Sequence, residues 1–325
     1  MVTRRTNILC AFTLLFLLLS ASCTQSSSPQ TVGPAKSTVI PSRTSISSPT
    51  ALPTITSTST STPITAPQRY VAQVILRGTG RPDDLIFDQQ GRLLFSDEID
   101  DTISRLNTDG SVTLLLHDPN GPEGLISLPD GTLIFSEQTT NRIVSLAPGA
   151  KNPSVLRVLR GIASTATCKH GVDSIALDAT TNTIIVPDSP TGNVYRMSLD
   201  GKTLTLLASG IVRPVGAGVD NQGNIFVADE CGNAVWHITP DGKKTRIGGF
   251  GMPDDVVADG HGNLLVIDLE PSIHALIRLN LATGRREILA SKGFIEPQGL
   301  LMDAHGNVFV SDDYANIIME YKPEL

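Results

Sequence analysis

Six times between Arg81 and Leu325 the chain repeats one pattern: an apolar segment, a Gly-containing turn, a second apolar segment ending in an acid, then a third. The segments that open each repeat read Pro82-Asp83-Asp84-Leu85, Pro122-Glu123-Gly124-Leu125, Val172-Asp173-Ser174-Ile175, Pro214-Val215-Gly216-Ala217, Pro253-Asp254-Asp255-Val256 and Pro297-Gln298-Gly299-Leu300. Successive openings are separated by 40, 50, 42, 39 and 44 residues. A period near 40 built only of short strands is the sequence signature of propeller blades.

The fourth repeat shows how a blade is assembled. Pro214 to Asp220 predicts an inner strand of small apolar residues, suited to a crowded axis, and Asn221-Gln222-Gly223-Asn224 a hairpin turn in which Gly supplies positive φ. Ile225 to Asp229 predicts the second strand, Ala234 to Thr239 the third and Lys244 to Ile247 the fourth. The first turn recurs at Gly91, Asp130-Gly131, Gly262-Asn263 and Gly306-Asn307, and repeat three replaces it with Thr180-Thr181-Asn182. Repeat six stops after its third strand, Ile317 to Tyr321, while Tyr70 to Leu76 alternates as a strand with no blade of its own. Pairing these two removes an exposed edge. The expected fold is all-β: a six-bladed β-propeller whose N-terminal strand closes the last blade.

The remainder of the chain sets the context. Arg4 and Arg5 precede an apolar run from Ile8 to Leu19, then Leu19-Ser20-Ala21-Ser22-Cys23. The run is too short to span a bilayer and has the length of a signal-peptide core. Residues 1–23 resemble a bacterial lipoprotein signal, which implies lipidation of Cys23, an extracytoplasmic location and a membrane anchor; the alternative is secretion with cleavage near Ser22. Residues 24–68, rich in Ser, Thr and Pro, lack the apolar surface to offset chain ordering and read as an extended linker or stalk. The 257 residues from 69 to 325 suffice for one domain. Arg4, Arg5, Lys36 and Arg43 all precede it, so the chain's net charge of −7 becomes −11 over this domain. That sign opposes nucleic-acid binding and favours cations. Cys168 and Cys231 fall in loops expected on the same face of neighbouring blades, which predicts a disulfide outside the cytoplasm, two buried thiols being the alternative.

Second strands end Ser96-Asp97, Ser136-Glu137, Pro187-Asp188, Ala228-Asp229, Ile267-Asp268 and Ser311-Asp312. Several are followed by an Asn that opens the third strand, as in Asn141-Arg142-Ile143, Asn193-Val194, Asn233-Ala234-Val235 and Asn316-Ile317. Over residues 70–325 this resembles the NHL repeat and the broader group of gluconolactonase, regucalcin, paraoxonase and virginiamycin B lyase. Because the acid recurs in every blade and the Asn in four of the six, they are expected to be architectural, accepting and forming turn hydrogen bonds.

Aligning the inner strands places one residue per blade at the mouth of the channel: Asp83, Glu123, Asp173, Val215, Asp254 and Gln298, with Asp84 and Asp255 beside them. Carboxylates facing one small volume either take up protons or bind a cation. The expected ligand set is Asp83, Glu123, Asp173, Asp254, Asp255 and Gln298, and the expected ion is a divalent cation, Ca²⁺ before others because all donors are oxygen. The alternative is a solvated acidic funnel. The family resemblance implies the same: Glu123 matches a Glu-Gly opening of the gluconolactonases, Asp254 a Pro-Asp opening, and Asp254-Asp255 the Asp-Asn pair of paraoxonase-type sites. The chain departs from them in having no Asn at the rim, an inert Val215, and its Glu in the second repeat.

If catalytic, Asp254 is the expected base and His170 an acid or base, with His117 and His274 in neighbouring loops; His261 and His305 belong to turns on the opposite face. Arg213 flanks the rim, either to take a substrate carboxylate or to neutralise acids. No Gly-x-Ser-x-Gly, phosphate loop or dinucleotide fingerprint occurs. Two functions are most compatible with these residues, a structural role in envelope assembly being the third alternative. One is a monomeric module binding a small molecule, glycan or protein at this face, without nucleic acid. The other is a metal-dependent hydrolase of lactones or esters.

Overall fold

Among the described residues, twenty-four strands form six four-stranded antiparallel sheets, each with its strands in chain order except the last. That sheet runs from Pro297–Met302 through Val308–Asp312 and Ile317–Pro323 to the N-terminal strand Tyr70–Arg77, whose register begins Tyr70 opposite Pro323. The ring is therefore closed by the first strand of the domain, as the truncated sixth repeat predicts. The structure, a computed structural model, describes residues 69–324 except 79, 165–167 and 169. The expected signal, its Cys23 and the Ser/Thr/Pro linker lie outside the described residues.

Burial follows the ring. Each of six apolar clusters draws on two neighbouring blades: Phe226 and Val235 of blade 4 meet Leu264 and Ile277 of blade 5, and Phe95 of blade 1 meets Phe309 and Ile318 of blade 6. Every residue of the second strand Leu133–Glu137 is buried, because a blade packs on both faces. Phe135 and Phe226, fully buried, each contribute on the order of 2 kcal/mol by removal of apolar surface from water.

Turns account for many of the carboxylates. Asp220 accepts from the backbone N–H groups of Gln222 and Asn224 at 2.9 Å. Asp88, Asp178, Asp259 and Asp303 do the same for their own hairpins, and His261 and His305 sit in these turns, away from the mouth. The acids that end the second strands reach back to the segment leading into their own blade. Asp97 accepts from Arg81 N at 2.6 Å, Asp229 from Arg213 N at 2.9 Å, and Asp312 from Ile295 N at 2.7 Å. The expected architectural role holds, with a longer reach than a single loop.

The left-handed position ahead of the third strand is held by Asp101, Asn141, Gly192, Asn233, His274 and Asn316 in turn. Blade 3 thus uses Gly192 where the sequence pointed to Asn193, whose side chain donates to Tyr195 Oη instead. His274, at φ 36°, occupies a turn position and not a free loop.

Two features aim the inner strands. In blades 2, 4, 5 and 6 the ladder slips by one residue at the strand start: Pro214 pairs with Asp229, but Ala217 pairs with Val227. Such a bulge re-aims the side chains it contains. In blades 1 and 3 the regular strands begin only at Leu85 and Ala176, later than predicted; in blade 1 Asp83 N still donates to Ser96 O at 2.9 Å, and serine hydroxyls add to such bonds. Ser96 Oγ accepts from Asp84 N at 3.0 Å, and Ser136 Oγ donates to Asp173 O at 2.5 Å.

The third position of each opening alternates around the ring: Asp84, Gly124, Ser174, Gly216, Asp255, Gly299. Each Gly lies where the next blade's bulky residue crosses. A Cβ on Gly216 would overlap Asp254 and Asp255, one on Gly124 would overlap Ser174, and one on Gly299 would overlap Asp83 and Asp84. Gly216→Ala is therefore expected to cost about 1–3 kcal/mol by overpacking and to lower the melting temperature. A thermal melt within about 1 °C of the wild type would contradict this account of axial crowding.

Candidate metal centre

Three carboxylates converge at the axial mouth: oxygens of Asp83, Glu98 and Glu123 lie within 4.8 Å of one another. Asp83 and Glu123 are rim residues the repeat identifies. Glu98 is an addition. It directly follows the strand-ending Asp97, and the turn to the third strand of blade 1 brings it over the rim. The same sequence position in the other blades holds Gln138, Ser189, Glu230, Leu269 and Asp313, of which Leu269 joins the apolar core. The repeat carries that signal, but the adjoining acid, present in every blade for structural reasons, masks it.

Glu123 is 3% exposed. Its Oε1 accepts from Gln138 Nε2 at 2.6 Å, while Oε2 is buried with no hydrogen-bond partner among the described residues. A buried carboxylate oxygen left unsatisfied costs free energy unless a proton or cation meets it.

The remaining rim acids have other fates. Asp173 is held by Arg213 Nη2 at 3.1 Å, and the same guanidinium binds Glu230. Asp255 has both oxygens engaged, one with its neighbour Val256 N at 2.7 Å and one with Leu300 N of the next blade at 2.9 Å. Asp84 matches it across the ring, accepting from Leu85 N and from Leu125 N of blade 2, each at 2.7 Å. Both tie adjacent inner strands together. Asp254 stays at the rim in blade 5, with no hydrogen bond to its carboxylate among the described residues. Gln298 is half-buried and outside the cluster, and Val215 turns into the core between blades 4 and 5.

Electrostatics follow from this crowding. Burial, then Glu98 and Asp173, push the Asp83 carboxyl well above its usual range. Burial, then Asp173, Glu98 and Asp83, do the same to Glu123. Asp254 is raised well by burial and by Asp173 and Asp83, while Glu98 and Asp84 are each raised to about 7, chiefly by burial. Asp173 is raised too, with Arg213 opposing. The His170 pKa is lowered by burial and Arg213, so the imidazole is neutral at pH 7. His117 is exposed at the end of an outer strand.

Cys168 and Cys231 are joined, their Cα atoms 6.0 Å apart. The bridge links the segment that leads to His170 and Asp173 with the short 3₁₀ turn Glu230–Gly232. A cross-link of this span is worth about 2–4 kcal/mol.

An all-oxygen, charged and partly unsatisfied donor set fits a hard divalent cation such as Ca²⁺, and with no Cys or His among the three it does not fit zinc. Without a cation these acids hold protons in the fold that an unfolded chain releases near pH 4. The folded state then binds more protons than the unfolded one, so stability falls as pH rises from about 4 through 7. In chelator, the melting temperature is expected to drop by about 5 °C or more between pH 5 and pH 8. A flat or rising profile would show that these carboxyls are not raised.

No protein-family model matches the chain, and no curated protein matches it. Solved structures do. A gluconolactonase from Xanthomonas campestris superposes with a TM-score of 0.64 at 15% identity, over 78% of this chain and 90% of its own. Virginiamycin B lyase from Staphylococcus aureus gives 0.57 at 18% identity, over 73% and 79%. A chain of a nidogen/laminin complex gives 0.60 at 22% identity, over 70% and 88%. At such identities the likeness speaks to architecture alone, and by that measure this chain has the propeller fold of gluconolactonases and virginiamycin B lyase.

Proposed function

We propose that the protein binds a divalent cation, Ca²⁺ by its ligand chemistry, through Asp83, Glu98 and Glu123, and hydrolyses a small lactone or ester at the channel mouth. The observation that carries this reading is the convergence of three carboxylates around the unsatisfied Glu123 Oε2. A cation held there would polarise a substrate carbonyl and acidify a water molecule. Asp254 is assigned as the proton acceptor, in the ionised form that a bound cation would favour, and neutral His170, near Arg213 and Asp173, as a second acid–base group. Serines 136, 189 and 311 donate their hydroxyls to Asp173 O, Pro214 O and Asp83 O, so they are committed to structure. That favours attack by water over attack by a serine. Gluconolactonases among the structures sharing the fold accord with this reaction class.

The reading includes an extracytoplasmic site of action, with Cys23 as lipid anchor. The Cys168–Cys231 bridge supports an oxidising compartment. The same committed serines leave room for a second reading, a module that binds a small molecule, glycan or protein at this face without turnover.

In a panel of lactones and esters, turnover is expected with Ca²⁺ and its loss in chelator, together with a calcium-dependent rise in melting temperature. Glu123→Gln is expected to abolish that rise and reduce kcat/KM by about 100-fold or more. Asp254→Asn is expected to lower kcat while keeping the rise. A rise without turnover on any substrate selects the binding module; no calcium response in the wild type refutes the cation site.

A further inference from the structure

Blades 1 and 4 lie three steps apart in either direction around the ring, and they share a sequence pattern that no other pair does. Each opens Arg-Pro, at Arg81-Pro82 and Arg213-Pro214, and each ends its second strand Asp-Glu, at Asp97-Glu98 and Asp229-Glu230. The backbones agree as well: Arg81 N donates to Asp97, and Arg213 N to Asp229. The arginine side chains do not. Arg81 turns to blade 6 instead of to Glu98, stacking 4.7 Å over the Tyr314 ring, with its Nη2 3.8 Å from Asp313. Glu98 is thereby left to face Asp83 and Glu123. Arg213 turns inward, 9% exposed, between Asp173 and Glu230, and its buried Nε finds no hydrogen-bond partner among the described residues.

The mouth thus contains two related acidic niches. One, at Asp83, Glu98 and Glu123, has no ion pair among the described residues, although Arg213 lies near enough to lower the Glu98 and Glu123 carboxyls. The other, at Asp173 and Glu230, is filled by a guanidinium of the chain itself. We infer that Arg213 is a built-in cation that occupies the second niche and limits the mouth to a single divalent ion. Arg213 is then a stoichiometry-determining and positioning residue, committed to Asp173 and Glu230 and unavailable to a substrate carboxylate. Its two ion pairs are shielded from water, so the attraction between them is screened little by salt. Removing one member of such a cluster leaves buried charge uncompensated, which a mobile cation then answers.

This inference rests on the cation reading of the mouth, but its test is separable from that reading. Calcium is titrated calorimetrically into the full chain and its variants at pH 7.5. The wild type is expected to take up one ion, and Arg213→Gln one more than the wild type. Arg213→Gln combined with Glu230→Gln is expected to return to the wild-type number, and Arg81→Gln to leave it unchanged. A folded Arg213→Gln protein binding the same number of ions as the wild type overturns the inference. If Arg213→Gln is unfolded in chelator, recovery of its melting transition on adding Ca²⁺ supports the inference, and failure to recover overturns it. If the wild type binds no calcium, the function proposed above falls, while uptake of one ion by Arg213→Gln still sustains this assignment.

Discussion

Everything at the mouth depends on how six inner strands crowd one axis. Bulky and glycine residues alternate at the third position of the openings, so that Asp84, Ser174 and Asp255 each cross a neighbour with no side chain. Asp84 and Asp255 then reach onward to Leu125 N and Leu300 N, binding three blades together at each point. In blades 2 and 5 the bulged ladder leaves Glu123 and Asp254 at the rim, whereas Val215 of the equally bulged blade 4 turns into the core. Carboxylates there face one another because the closed ring leaves them nowhere else to go.

That geometry sets an electrostatic problem with three local answers. Backbone N–H groups satisfy Asp84 and Asp255, a guanidinium satisfies Asp173 and Glu230, and Asp83, Glu98 and Glu123 are left with an open balance. The acids of the mouth are chemically alike, and their partners alone separate structure from site. The same distinction disposes of the hairpin acids, each of which accepts backbone hydrogen bonds within its own turn.

The sequence made the blade number, the closing strand and the position of the rim legible, since repeats align residues that symmetry must bring together. It placed Asp83, Glu123, Asp173 and Asp254 at the mouth, where they lie. It could not separate Asp255 from them, because adjacent residues of a regular strand point oppositely and only the bulge shows where each goes. Glu98 escaped notice for a related reason: it follows an acid present in every blade, and a periodic signal hides the one position that breaks the period. The different directions of Arg81 and Arg213 are rotamer choices set by Tyr314 and Glu230, and no pattern of letters records a rotamer.

The pairing of Tyr70–Arg77 with Ile317–Pro323 carries a mechanical consequence. Both ends of the domain leave from one side of one sheet, with Tyr70 opposite Pro323. Tension drawing these two ends apart would open that pair one hydrogen bond at a time, like a zip. Tension between Tyr70 and the opposite side of the ring would load the same bonds together, in shear. The direction of a pull, more than its strength, would decide whether the ring holds.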